Sequence, residues 1–486
     1  MAIQVKRTNL ILRPNPARVL FRPFKPSSDA RFTKIIGRIM SLDEREVEQQ
    51  VEHVLGEFHA RHQRLTTYFL QRYEHVQKHM LTDAPISDAR RLLIGAFFTQ
   101  EYSLESAALF NPSIVWHPDQ TGLPAGSRRF ILSLRATGEG HVSSLSFRAG
   151  VVDKDCNLQI SASSRFVTAP VVHADPHYEK GLFKRKLFEL GAADPFVDSV
   201  LERLNDSFTL GQLRRSVRDS ERHWRASSLS LPDSARAIIA LAESNYEISY
   251  DPEQEISERV IFPHSPTEQN GIEDARFVRF QDDDGSYRYL APYTAYDGRM
   301  MLPQLLETSD FATFKISTLN GPEVQNKGMA LFPRRIAGHY VMISRQDNEN
   351  VFIMASDSLH FWYERQLLLK PTYAWEFIQL GNCGSPIETE AGWLVLSHGV
   401  GAMRKYSIGA FLLDKDDPTR VIGRLREPLL SPDANEREGY VPNVVYSCGA
   451  VVHGNQLLLP YAISDYASTF CTVPMDQLLD ALTSAG

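Results

Sequence analysis

From residue 262 to the C-terminus the chain reads as short strands and turns, with almost no helical periodicity before Met475. This stretch constrains the fold more than any other. Clusters rich in β-branched and aromatic residues recur at 276–295, 330–343, 350–355, 392–397, 407–413, 444–452 and 455–461, punctuated by Gly, Asp, Asn and Pro. At roughly 50 residues per four-stranded blade, that is about four blades of an all-β architecture. The 109–165 segment supplies another. There Phe130–Arg135 reads as a strand, Gly138–His141 as a turn, and Ser143–Arg148 as the strand paired back.

Two regions break the β texture. Residues 1–36 are extended, with Pro14, Pro16, Pro23 and Pro26 interrupting Val19-Leu20-Phe21, as in an arm laid on another element. Ser41-x-x-Glu44 then reads as a capping box opening a helix to about Leu81, carried by Val47, Val51, Leu55, Phe58, Leu65, Phe69, Tyr73 and Val76. A second helix is expected from about Ser87 to Ser106. Helical spacing returns over 175–245. The resulting segmentation is 1–36 arm, 37–106 helical region, 107–170 first blade, 171–248 helical insertion and 249–486 remaining blades with a short C-terminal helix. The amphipathic faces must bury against something, whether by covering a pocket, narrowing its acceptor side or building a homo-oligomer through the helical regions.

Charge and cysteine usage exclude several classes. Lys plus Arg number 52 against 59 Asp plus Glu, a net charge of -7, so no basic field draws the chain to nucleic acid or a membrane surface. Phe208–Leu213 superficially matches a helix-turn-helix fragment, and the acidic balance argues against it. The four cysteines are scattered without C-x-x-C, and the helix histidines His53, His59, His62, His75 and His79 are accompanied by no carboxylate pattern of a known metal-binding helix, so neither a disulfide framework nor a metal is expected. No continuous apolar run has the length of a signal peptide core or a membrane span, and the expected location is cytoplasmic.

Chemistry concentrates in Gly271-Ile272-Glu273-Asp274-Ala275-Arg276, expected as a turn, followed by the acidic turn Asp282–Gly285 and Tyr293-Thr294-Ala295-Tyr296. Two carboxylates and an arginine on a strand-end turn are held rigidly. GIEDAR followed by YTAYDG resembles the signature of glycoside hydrolase family 130, the β-mannoside phosphorylases and mannosidases, with Ala275 where that family usually has proline. Further segments are similar in the same order: Phe110-Asn111-Pro112, Leu331-Phe332-Pro333 with Arg345, Ser356–Trp362, Gly381–Trp393 with His398-Gly399-Val400, Glu438–Tyr446, and Tyr461 with Asp465.

The resemblance implies a five-bladed β-propeller acting on β-mannosides, a small carbohydrate substrate. It also implies inverting phosphorolysis to α-mannose 1-phosphate, with inorganic phosphate as co-substrate and no cofactor. Asp274 would be the general acid, acting through the mannose 3-hydroxyl. Arg345 matches a phosphate ligand, and Arg135, Lys370 and His398 are candidate neighbours, because a phosphate anion must be held by fixed positive donors. Asn111, Glu273, Arg276, Tyr440 and Asp465 are sugar-binding candidates. Two alternatives stand beside this reading. Hydrolysis would need a carboxylate base, for which Glu390 and Glu438 are candidates, and a propeller without catalysis would only bind carbohydrate. Cys383 beside Gly384 lacks a defined base and reads as a packing residue.

Overall fold

The computed structural model describes residues 3–173, 177–227 and 230–484. The chain is mainly β, built from units that follow one another in sequence, the first two joined into one 12-stranded sheet through Gly271 beside Ser143 and Val260–Ile261 beside Leu145–Ser146. The first unit is Ala108–Trp116, Arg128–Thr137 and Ser143–Val152, with Leu158–Ile160 on its edge. The second pairs Gly271–Glu273 and Val278–Gln281 with one long strand, Tyr287–Tyr296, and continues through Met301–Thr308 and Thr313–Thr318. Lys327–Leu331, Tyr340–Arg345, Val351–Ser356 and Gln366–Leu369 form the third. Gln379–Asn382, Gly392–Val400, Tyr406–Leu413 and Val421–Arg424 form the fourth, with Ile387–Thr389 beside the long strand. The fifth contains Val445–Tyr446, Val451–His453, Gln456–Ile463 and Ala467–Pro474. Its outer strand, Lys6–Leu12, comes from the other end of the chain.

Each unit packs on the next, and the fifth packs on the first, where Gln456–Ile463 and Ala467–Pro474 lie against Ala108–Trp116. Hydrogen bonds tie that last contact: Leu109 N–H donates to the Tyr466 carbonyl at 2.9 Å and Cys448 N–H to the Pro112 carbonyl at 2.8 Å. The longest inner strands are buried on both faces and so read as near-continuous apolar runs. Gly392–Val400, for instance, is buried throughout.

The helices differ from the sequence expectation in their boundaries. The arm is extended only in part, because Asp29–Met40 is a helix. Ser41 does not cap the following helix. Its backbone N–H bonds to Gly37 and Ile39, closing the helix before it, and Asp43 with Glu46 makes the capping box of Glu44–Phe58. The expected helix to Leu81 is two helices, Glu44–Phe58 and Leu65–Val76, broken at Arg64, which sits at φ 55°. The second expected helix stops at Phe97, and Thr99–Ser103 pairs as a strand with Val19–Pro23.

In the insertion, Lys180–Glu189, Pro195–Glu202, Leu210–Ser227 and Ser234–Glu243 share a core of Phe183, Phe196, Val200, Leu213 and Ile238. Its two ends are strands. Tyr246–Ser249 pairs with Thr313–Thr318, and Val171–His173 pairs with Tyr246–Ser249, which widens the second unit. A cavity of about 510 Å³ separates the insertion from this edge, lined by Phe183, Lys186, Tyr246 and Lys315 among others. No helix among the described residues is long and apolar enough to cross a membrane.

Candidate active site

The GIEDAR segment is a strand interrupted by a bulge rather than a turn. Glu273 faces Thr294 and Val278 faces Leu290 on the same partner strand, so four residues, Asp274 to Phe277, stand opposite three. One extra residue in a ladder bends the strand and re-aims its side chains. Asp274 takes the strain, at φ 53°. Ala275 packs inward with Phe277 and Tyr293, while Arg276 N–H recovers a ladder bond to the Pro292 carbonyl at 3.0 Å.

Asn111 is placed by the same device. Its strand slips register between Phe110 and Ser113, Pro112 offers no N–H to the ladder, and Asn111 adopts φ 48°. The bulge brings Asn111 Nδ2 to Asp274 Oδ1 at 2.7 Å, a bond between residues buried on both sides. Asp465, in the turn after Gln456–Ile463, also has positive φ, 51°. Three candidate residues in a backbone region that non-glycine residues avoid mark a site held against its local preference.

Around Asp274 the structure gathers four cations. Arg135 Nη1 lies 3.6 Å from Asp274 Oδ1, and Arg135 Nη2 donates to Glu273 Oε1 at 2.7 Å. Lys327 Nζ lies 3.9 Å from the other Glu273 oxygen. Arg276 is fully enclosed and donates to the Asp274 carbonyl at 3.2 Å and to Tyr446 Oη at 2.7 Å. Arg345 Nη1 reaches His398 Nε2 at 3.0 Å. Gly381 is required at that last contact, since a Cβ there would stand 2.3 Å from His398 Cε1 and 3.1 Å from Arg345 Cδ. Side-chain exposure rises from 9% at Asp274 to 18% at Arg135 and 33% at Lys327. The carboxyl is therefore the most enclosed of these groups, with Arg135 and Lys327 progressively more open to solvent.

The charges set the protonation states. Burial pushes the Asp274 carboxyl up, yet Arg135, Arg276 and Lys327, with the Asn111 bond, outweigh it and hold it below the ordinary aspartate value. Asp465 goes the other way, pushed up to about 6 by burial and by the charge of Asp274, against Arg135, Arg404 and Lys327. Burial, then Arg345 and Arg276, drive His398 well below its usual range. It is a neutral imidazole whose Nε2 accepts from Arg345, and so not one of the cations the sequence reading grouped it with. Burial likewise pushes the Cys383 thiol up to about 12, consistent with a packing role.

The structure thus assembles Asn111, Arg135, Glu273, Asp274, Arg276, Arg345, His398 and Asp465. It does not bring in four others. Lys370 is exposed at the end of the outer strand of the third unit, where its carbonyl accepts from Arg424. Glu390 is exposed in the turn before Gly392, and Gly392 itself lies six residues from His398 along an extended strand, about 20 Å at 3.3 Å per residue. Glu438 is exposed on the loop before Val445–Tyr446. Tyr440 stands 55% exposed on that same loop, its Oη 3.2 Å from His141 Nδ1. Lys327 and Tyr446 escaped the sequence reading. Lys327 sits in Gln325-Asn326-Lys327-Gly328, where no spacing signals a ligand. Tyr446 was visible only as an apolar strand residue.

Several polar atoms here are buried without a hydrogen-bond partner among the described residues: Arg345 Nε, Arg276 Nε, Asn111 Oδ1 and Asn382 Oδ1. Neither Arg276 nor Arg345 forms a salt bridge to a carboxylate among the described residues, whose ion pairs are otherwise numerous. No cluster of three or more His, Cys, Asp or Glu with metal-binding geometry occurs among them.

A family model described as β-1,4-mannooligosaccharide phosphorylase matches residues 234–484, half of the chain. The chain belongs to glycoside hydrolase family 130. Within the family it is 37% identical over 206 residues to a 1,2-β-oligomannan phosphorylase of Thermoanaerobacter sp. (strain X514), covering 41% of this chain and 66% of that protein. It is 31% identical over 230 residues to a β-1,2-mannobiose phosphorylase of Listeria innocua, covering 46% and 63%. The chain therefore spans a little under two thirds of the length of these curated relatives. A solved structure of a Listeria innocua β-1,2-mannobiose phosphorylase in complex with β-1,2-mannobiose superposes over 78% of this chain and 92% of that one, with a TM-score of 0.46 and 22% identity.

Proposed function

We propose that this family 130 chain catalyses inverting phosphorolysis of β-mannosides to α-mannose 1-phosphate, with Asp274 as the general acid. The observation that carries the reading is the enclosed Arg345 guanidinium of the Asp274 cluster, which forms no salt bridge to a carboxylate among the described residues. A buried charge without a counter-ion is costly, and an anionic co-substrate supplies the missing charge. The names of the relatives, all mannoside phosphorylases, point the same way.

The chemistry balances on the phosphate itself. Phosphate oxygen attacks the anomeric carbon from the face opposite the leaving oxygen. The proton reaches that oxygen from Asp274, relayed by the mannose 3-hydroxyl, and Asp274 is restored by the proton that hydrogen phosphate brought. Asp274 is held ionised in the free protein, so it needs a reason to take up a proton. The arriving dianion provides one, because it offsets the cations that depress the carboxyl. Hydrolysis is the weaker reading, since Glu390 and Glu438 stand exposed outside the cluster.

We read the five sequential units, each packed on the next and the last on the first, as the blades of a five-bladed propeller. The first blade is 107–170, the helical insertion 171–248, and the remaining blades 249–486. Lys6–Leu12 serves as the strand that closes the ring.

A panel of β-1,2- and β-1,4-linked manno-oligosaccharides, incubated with and without phosphate while α-mannose 1-phosphate is followed, tests the assignment. Turnover only with phosphate is expected. Turnover that ignores phosphate would establish a hydrolase, and binding without turnover a carbohydrate-binding propeller.

Asp465 adds a pH signature. As an ionised acceptor for the donor sugar it is lost on protonation, so kcat/KM for the mannoside should fall as pH drops below about 6, and Asp465→Asn should lack that limb. Stability carries the opposite sign. A carboxyl whose folded value is raised disfavours the native state once ionised, so its cost grows as pH rises from the ordinary aspartate value through about 6. Asp465→Asn should therefore melt higher than the parent at pH 8 and equal to it at pH 4.

A further inference from the structure

Two exposed rings bridge the rim above this site. Tyr440 and His141 approach with centroids 5.6 Å apart and a 3.2 Å contact between Oη and Nδ1. Each is tied to a loop next to a residue of the site. His141 lies in the turn Gly138–Val142, whose strand carries Arg135 three residues earlier, about 10 Å below at 3.3 Å per residue. Arg135 Nε in turn donates to Ser143 Oγ, at the far end of that turn, at 2.9 Å. On the other side Gly439 is pressed against Ser464, where a Cβ would stand 2.5 Å from its carbonyl oxygen. Val441 N–H donates to that same carbonyl at 3.0 Å, next to Asp465. The bridge therefore joins the first and fifth units through loops that adjoin Arg135 and Asp465.

Inversion fixes the direction of travel. Arg345 and His398 come from the third and fourth units, and an in-line displacement sends the leaving sugar to the face opposite the phosphate. His141 and Tyr440 come from the first and fifth units, which meet each other away from the junction between the third and fourth. Resting on the phosphorolysis reading, we infer that His141 and Tyr440 form the wall of the subsite that holds the released sugar. An amphipathic aromatic pair suits a sugar ring, since it offers an apolar face together with a polar edge. The two residues select the acceptor without touching the reacting atoms.

The test separates acceptor from donor in the synthetic direction. In Tyr440→Ala and His141→Ala, KM for the acceptor sugar should rise about tenfold, the factor that about 1.4 kcal/mol of lost contact gives. KM for α-mannose 1-phosphate should stay within twofold, and Tyr440→Phe should recover most of the acceptor affinity. Equal rises in both constants would mean that the bridge only braces the loops, and unchanged acceptor KM would mean that it faces no sugar. Either result overturns the assignment while leaving phosphorolysis intact. Absence of phosphate-dependent turnover in the parent protein would remove both.

Discussion

Replacing Asp274 by asparagine is expected to lower phosphorolysis of an unactivated mannoside by roughly 10²–10⁴-fold, the range that a positioned general acid contributes. A β-mannoside whose leaving group departs as a stable anion needs no proton, and it should lose far less. Comparing kcat/KM for the two substrates in parent and variant checks this, and equal losses on both would remove Asp274 from the acid role. The fold should survive, because asparagine tolerates positive φ as well as aspartate does and its amide oxygen can still accept from Asn111. Stability should show a pH-dependent gap. The depressed Asp274 carboxyl stabilises the native state above the ordinary aspartate value, and that contribution is lost as pH falls through its lowered folded value. The variant should therefore melt below the parent at pH 7, with the difference closing as the solution is acidified.

What the sequence disclosed about this site follows from how local each signal was. GIEDAR was legible because its carboxylates, its arginine and the strand after it lie within one short segment. Its geometry was not, since the bulge exists only relative to Tyr287–Tyr296, where four residues meet three. Lys327 reaches Glu273 from a different unit and carries no spacing of its own. Lys370 illustrates the converse error: a basic residue near matching segments in sequence stands just past Gln366–Leu369, the edge strand of its four-stranded sheet.

The helices show the same division. Ser41-x-x-Glu44 and Asp43-x-x-Glu46 are equally good capping patterns in isolation, and the preceding helix decides between them by using the Ser41 N–H for its own end. Thr99–Ser103 follows a helical apolar run and becomes a strand only because Val19–Pro23 lies alongside. The β character from 262 onwards was plain because its alternation and turn residues are repeated many times. The pairing of Lys6–Leu12 with Ala467–Pro474 joins opposite ends of the chain, which no local pattern encodes.

Arg345→Gln should raise KM for phosphate, and for α-mannose 1-phosphate in reverse, by roughly 10- to 150-fold, as expected for loss of a charge-assisted hydrogen bond of about 1.5–3 kcal/mol. KM for the mannoside should change little, because Asn111, Asp274 and Asp465 remain. Lysine should not restore the parent behaviour, since a point charge does not reproduce the planar fork that reaches both His398 and an anion. The stability effect is the more diagnostic half. Burial lowers the Arg345 pKa, with Arg276 adding repulsion, so the guanidinium is held at a cost to the free protein. Arg345→Gln should accordingly melt at or above the parent in the absence of phosphate. Phosphate, which stabilises whatever binds it in the native state, should raise the melt of the parent and leave the variant nearly unmoved. His398 offers an independent reading, because Arg345 helps to depress its imidazole. Its NMR titration should move upward in the variant while staying below the ordinary histidine value, since burial is the larger cause. A variant that melted lower and bound phosphate as well as the parent would make Arg345 a structural pillar and leave phosphorolysis without its anion site.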